Sequence, residues 1–268
     1  MKKGIRLFAT LMVCMAMALC VSCKKDNAEP NGGGNTGGGG NTGGGTGCEI
    51  SGCFSVSSTT TVEFSPGNLY WDGSAFRFEA DQWSFANTWN ASYVSHFYWS
   101  NTTDWQTSGK EPYASSYSYS TQTTSDEFFT NSSSFQVAGE TVGTWRTLSK
   151  AEWDYLLNSR DNASSLRAWV TLTDVSVSGL VILPDNSTDA ASSVTTTALV
   201  ASSGAVFLPA AGYRYGTDVR DAGSNGYYWS GTPYEGYEGL AYYMNFNSGN
   251  VNVHYVSRSN GYSVRLVR

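Results

Sequence analysis

An α+β fold is predicted by three observations: short alternating strands, one strongly capped helix, and turn-rich connections between them. Thr61-Val-Glu-Phe-Ser-Pro-Gly-Asn-Leu-Tyr70 reads as a strand with Val62 and Phe64 on one face, a Pro-Gly turn and a second strand. In Leu148-Ser-Lys-Ala-Glu-Trp-Asp-Tyr-Leu-Leu157, Ser149 and Glu152 form a capping box, and Leu148 and Trp153 are placed as a hydrophobic staple. Trp153, Leu156 and Leu157 supply the apolar stripe of a short packing helix that frays near 158–160. Its Glu152 and Asp154 serve the cap and the helix dipole. Being two apart, they point to different faces and are not an acid/base pair.

The remaining elements follow in order. Residues 71–105 carry Trp71, Trp83, Trp89, Trp99 and Trp105 with four Phe between them, a density that reads first as core and second as a stacking platform. His96 lies among these rings and reads as a hydrogen-bonded structural residue. Residues 106–135 are Ser, Thr and Tyr with few aliphatics, a long surface loop. Residues 168–172, 177–184 and 205–209 are strands, the last two buried. Thr196–Val200 forms a short helix ended by Gly204. A turn-rich stretch then leads to the chain's end, where residues 225–262 hold 8 of the 17 Tyr, set among Asn, Ser and Gly. Tyr offers rigid amphipathic contact area and Asn, Ser and Gly offer adaptable hydrogen bonding, so this end has the composition of a binding surface. Tyr227, Tyr228, Trp229 and the closing strand at 262–267 read as scaffold, with that strand beside the early one near Val62.

The start of the chain is not part of the domain. Lys2, Lys3 and Arg6 precede an apolar run to Val21, the pattern of a secretory signal over 1–22. Ser22-Cys23 resembles the lipobox of bacterial lipoproteins, which are cut before the Cys and acylated on it, although Cys20 stands where Leu is usual. Lys24-Lys25-Asp26 resembles the short charged signals that route lipoproteins of the Bacteroidetes to the cell surface. The resemblance implies lipidation of Cys23, and a protein in the outer membrane that faces the exterior. Residues 23–47 are Gly, Asn and Thr with almost nothing to bury, a flexible tether with a reach of roughly 25–30 Å. Residues 48–268 are then one domain.

Losing Lys2, Lys3 and Arg6 takes the formal charge from −6 to −9. An acidic chain with scattered cations is a poor phosphate binder, which argues against a nucleic-acid partner. Cys48 and Cys53 remain after cleavage, and outside the cytoplasm they are free to form a disulfide. Two Cys without a second pair or a nearby His make no zinc site, so no metal and no cofactor are expected.

Gly143-Thr-Trp-Arg-Thr-Leu-Ser-Lys-Ala-Glu-Trp153, Phe207-Leu-Pro-Ala-Ala-Gly-Tyr-Arg214, Gly226-Tyr-Tyr-Trp-Ser230 and Arg258-Ser-Asn-Gly-Tyr-Ser-Val-Arg-Leu-Val-Arg268 resemble the Fibrobacter succinogenes major paralogous domain. That resemblance implies a C-type lectin-like fold with small mixed sheets, one or two short helices and long loops. The C-terminal pattern is also similar to the variable proteins of diversity-generating retroelements, in which adenine-directed mutagenesis rewrites chosen codons. It implies ligand contacts among Tyr234, Glu235, Tyr237, Tyr243, Asn245, Asn247, Asn250, Asn252, His254, Tyr255 and Ser257, with Tyr262 a further diversified position. Trp229, Phe246, Val251, Val253, Val264 and Leu266 would be the frame. Calcium-using lectins of this fold carry motifs that Glu111-Pro112-Tyr113 and Trp229-Ser230-Gly231 do not match. Formylglycine-generating relatives need Cys chemistry, and no Cys follows Cys53.

The function expected is therefore a lipid-anchored cell-surface protein that binds a protein or glycan ligand and is not an enzyme. A glycan hydrolase using carboxylates such as Asp104, Glu111, Asp126 and Glu127, or a fimbria-associated structural subunit with an open sheet edge, stays as the alternative.

Overall fold

The terminal eight residues hold this domain together. In the computed structural model, which describes residues 52–99, 136–237 and 239–268, positions 261–267 are all buried. Gly261 exchanges backbone hydrogen bonds with Arg214, and Tyr262 with Phe97. Ser263 bridges the backbone at Tyr227 and Trp229. The carbonyls of Val264 and Leu266 accept from Leu69 and Ser65, and Arg268 exchanges bonds with Glu63. One extended segment thus satisfies backbone groups from five distant parts of the chain, so burying it leaves few polar groups unpaired. The early partner predicted near Val62 is found at 63–65, with Phe64 bridging Val267.

Around this spine the chain is α+β, mostly small antiparallel sheets with few helices. The first half supplies β1 (Phe54–Ser55) paired with β2 (Thr61–Val62), and β3 (Leu69–Trp71) paired with β4 (Phe76–Phe78). Next come β5 (Arg146–Thr147), helix α1 (Lys150–Asp154), β6 (Arg167–Leu172) and β7 (Val177–Ile182). Helix α2 (Thr197–Ser202), β8 (Val206–Pro209), β9 (Tyr213–Tyr215) and β10 (Asp218–Arg220) follow. The chain ends with β11 (Gly226–Pro233), β12 (Leu240–Phe246), β13 (Val251–Ser257) and β14 (Leu266–Val267). The two larger sheets run β6-β7-β8 and β11-β12-β13. The expectation of mixed sheets needs correction. Every named strand pair is antiparallel, and parallel contacts occur only as isolated bridges such as Tyr228 with Ser263.

Local chemistry explains the elements. β7 is apolar throughout because both its faces are covered. Leu180 and Ile182 enter the cluster around Trp153, and Val181 enters the one around Phe207. The Ser149–Glu152 capping box is formed, but the α-helix is only five residues long and passes into a π-turn at Tyr155–Ser159. The turn brings Arg160 inward, where its guanidinium donates to Asp185 (2.7 Å) and to the Leu183 carbonyl (3.0 Å). Asp185 also accepts from the backbone and hydroxyl of Ser55. Glu152 pairs with Arg146 and Asp154 with Lys150, so both helix carboxylates are engaged in ion pairs. Thr196 caps α2 through the Leu199 N–H.

Of the tryptophans, Trp71 and Trp99 are buried, and Trp83 and Trp89 are half-buried. His96 is buried and its Nε2–H donates to the Ala211 carbonyl (2.9 Å). The predictions for the signal (1–22), Cys23, the tether (23–47), Cys48, Trp105, residues 106–135 and the four hydrolase carboxylates lie outside the described residues. Cys53 is buried and disulfide-bonded.

Candidate functional site

β11, β12 and β13 form a sheet whose two faces have different neighbours. Directly opposed residues share a face, and successive residues alternate. Tyr228, Met244 and Val253 lie in one row, and Phe246 with Val251 in the next. This face packs on the cluster around Trp153 and α1. Gly226 belongs to it because the Phe246 ring lies where a Cβ would sit, only 2.1 Å away. The opposite face carries Trp229, Tyr243 and His254 in one row and Tyr227, Asn245 and Asn252 in another. Its inner part joins the cluster around Trp99 and Tyr262.

The eleven predicted contact residues do not make one surface. Tyr243, Asn245, Asn252 and His254 are on the second face, whereas Tyr255 and Ser257 are on the first. Tyr243 is half-buried, 4.9 Å from the Tyr262 ring, and burial raises its phenol pKa. Asn245 is half-buried, with its carbonyl oxygen enclosed. Asn247 uses its side chain to build the β12–β13 turn: its Oδ1 accepts from the backbone of Gly249 (2.9 Å) and Asn250 (3.0 Å). That is an Asx turn, a structural use of the amide. Asn250, Asn252 and His254 are exposed.

At the other end of the sheet the structure does bring predicted residues together. Tyr234 lies 4.2 Å from Tyr255, ring centre to ring centre, and 5.6 Å from Tyr242, which is itself 6.1 Å from Tyr255. The loop from Tyr234 to Leu240 holds Glu235, exposed, and Tyr237, 65% exposed; Tyr255 is 51% exposed. The Tyr234 ring folds back over Gly236, where a Cβ would lie 2.7 Å from it, so a larger residue would push the ring away. The Tyr255 phenol beside it raises the pKa of Tyr234. Tyr242 was not predicted from the sequence. Its match in strand parity to Tyr255 was the signal available for it.

This patch rests on a rigid base. The register of β11 shifts between Trp229 and Pro233. Across that irregularity the Gly231 N–H donates to the Leu148 carbonyl, and the Lys150 N–H donates to the Thr232 hydroxyl (2.9 Å). The Ser230 hydroxyl donates to the Tyr242 carbonyl, and the Trp99 indole donates to the Ser230 carbonyl (2.8 Å). The α1 capping box and the β11 bulge are therefore locked to each other. They fix where the 234–240 loop leaves the sheet, and Lys150 is brought 5.9 Å from the centre of the Tyr242 ring. A third exposed ring, Tyr215 (49%), stands on the separate β9–β10 hairpin under Arg220.

Among the described residues no cluster of His, Cys, Asp and Glu is arranged to hold a metal ion. A cavity of about 280 Å³ opens between Phe54, Phe64, Gln82 and Val200. No helix among the described residues is long and apolar enough to cross a membrane.

Residues 185–267 match a family described as a domain of unknown function, DUF8237. The match takes in α2, β8 to β13 and the spine, and so includes the whole tyrosine patch apart from its α1 base. No curated protein and no solved structure matches the chain.

Proposed function

We propose that this chain is a lipid-anchored cell-surface protein of C-type lectin-like fold. It binds a protein or glycan ligand through Tyr234, Tyr237, Tyr242 and Tyr255, with Glu235 and Ser257 at the rim. The observation that carries this reading is the pairing of exposure with rigidity. Tyr237 and Tyr255 are two of the most exposed large side chains among the described residues, and they stand on a bulged sheet end locked to a capped helix. Aromatic rings held on rigid elements lose little entropy on contact and form interface hot spots. The anchor comes from the lipobox-like Ser22-Cys23, the tether from residues 23–47, and the fold name from the motifs between Gly143 and Arg268.

Diversification by a retroelement belongs to the same reading. The exposed Glu235, Tyr237, Asn250, Asn252, His254 and Tyr255 would accept replacement without touching the core, while Trp229, Phe246, Val264 and Leu266 are buried. A near-copy of the codons for 225–268 beside the gene, differing mainly at adenines, would establish it.

The test uses a Tyr237→Ala/Tyr255→Ala double variant against an array of glycans and extracellular proteins. Any ligand bound by the wild type is expected to lose at least about 100-fold in affinity, since each truncated hot-spot ring costs about 2 kcal/mol or more. The melting temperature should fall by less than about 4 °C, because only one exposed ring pair is lost. Unchanged affinity in a folded variant would sink the assignment.

A further inference from the structure

The outer edge of β13 is built to pair with another strand. β13 is the last strand of its sheet, and no described residue pairs with it on the side away from β12. The ladder phase shows which groups face outward. Just beyond the two ends of the ladder, Arg258 donates to the Gly239 carbonyl (2.9 Å) and Asn247 to that of Asn250 (2.9 Å), both in register with it. Hydrogen-bonded and non-bonded pairs alternate in an antiparallel ladder. Asn252, His254 and Val256 therefore bond to β12, and the N–H and C=O groups of Val251, Val253 and Tyr255 point away from the sheet.

Natural edge strands are usually blunted by charge, proline or a bulge. Val251-Asn-Val-His-Tyr-Val-Ser257 has no Lys, Arg, Asp, Glu, Pro or Gly, and its register with β12 runs unbroken over seven pairs. The sequence is also self-complementary about Val253. Turned antiparallel upon itself with Val253 at the two-fold axis, it sets Val251 opposite Tyr255 and Asn252 opposite His254 of the second copy. Apolar residues meet apolar and polar meet polar, and no like charges meet.

We infer that the occupant of this edge is a second copy of the same chain, with β13 paired antiparallel to β13 across a two-fold axis to give a continuous six-stranded sheet. Closed two-fold pairing of one surface with itself is the commonest way for a soluble chain to self-associate. One strand pair buries less than a standard interface of roughly 1,600 Å², so the dimer is weak and reversible. The inference is independent of the ligand reading. Asn252 and His254 are on the face away from Tyr255, and the test needs no ligand.

The test is sedimentation equilibrium of the purified full chain from low micromolar to millimolar concentration. It is repeated with an Asn252→Glu/His254→Glu variant and an Asn252→Lys/His254→Lys variant. Both positions are exposed, so the substitutions leave the core untouched, and circular dichroism checks that they fold. In the proposed register each variant sets two pairs of like charges directly opposite one another, which destabilises strand pairing. The wild type should move from monomer to dimer mass, each variant should stay monomeric at every concentration, and an equimolar mixture of the two should recover the dimer. A wild type that stays monomeric at millimolar concentration overturns the inference, leaving the edge to a foreign peptide or to another stretch of the same chain. Charged variants that dimerise as well as the wild type overturn it too.

Discussion

Replacing Trp153 with Ala is expected to destabilise the domain by about 3–5 kcal/mol. In a domain of this size the melting temperature would fall by about 8–15 °C. The indole is fully buried in the cluster that also holds Leu148, Leu156, Leu157, Tyr228, Met244 and Phe246. It therefore joins α1 to the inner face of the β11–β13 sheet, and its ring centre is 6.2 Å from that of Phe64, beside the spine. Loss of the ring removes a large buried area and leaves a cavity that surrounding strands cannot close, because they are held by their own ladders. The indole N–H has no hydrogen-bond partner in this interior. Trp153→Phe should consequently cost far less, about 1–2 kcal/mol, because it keeps most of the volume and deletes an unpaired donor. Urea unfolding of the two variants checks both figures, and equal losses would contradict the packing role given to the ring.

Acidification from pH 7 to pH 4 is expected to cost about 3 kcal/mol of stability through His96 alone. Burial disfavours its charged form, and the nearby Arg214 cation adds to this, although the Ala211 carbonyl favours the protonated ring. The pKa is lowered to about 4 from an ordinary 6.5. Because the folded value is the lower one, the unfolded chain binds more protons between these two values. Stability is therefore full above pH 6.5 and falls as pH drops towards 4. Glu79 acts in the opposite sense. Burial raises its pKa although the Tyr93 hydroxyl bond lowers it, so protonation of Glu79 at low pH favours the folded state. Glu152 is also buried, which raises its pKa, but its bonds from Arg146 and Ser149 outweigh that, and its contribution is lost at still lower pH. The His96 part is isolated by comparison with His96→Gln, whose side-chain amide can still donate to Ala211. Denaturant titrations of both proteins at pH 7 and pH 4 should show the wild type losing about 3 kcal/mol more than the variant. Equal losses would mean that His96 does not titrate in this window.

The parts of the fold legible in the sequence were those set by neighbouring residues. The capping box at Ser149 and Glu152, the cap of α2 at Thr196, and the buried strands around Leu180 and Phe207 all depend on short-range pattern. The early end of α1 was not legible, because Arg160 is drawn inward by Asp185, 25 residues away. Nor was the full role of the last eight residues. Only Leu266 and Val267 lie in a regular strand, since the spine changes partner at almost every residue.

The candidate site was legible in composition and blurred in geometry. Tyr, Asn and Ser at 225–262 marked the right sheet, but a list drawn from residue type mixed its two faces and both its ends. Strand parity separates Tyr255 from His254. It would have added Tyr242, whose ring completes the patch with Tyr234 and Tyr255. The role of Asn247 needed the turn to be seen, because an amide that builds an Asx turn has the same sequence signature as one that meets a ligand.

The central claim, that the ligand is held at the Tyr234–Tyr255 end of the sheet, is tested most directly by hydroxyl-radical footprinting of the chain with and without a bound ligand. Tyr237 and Tyr255 should become protected, whereas Tyr215, almost as exposed but on the β9–β10 hairpin, should react equally in both states. Protection of Tyr215 with no change at Tyr237 and Tyr255 would contradict it.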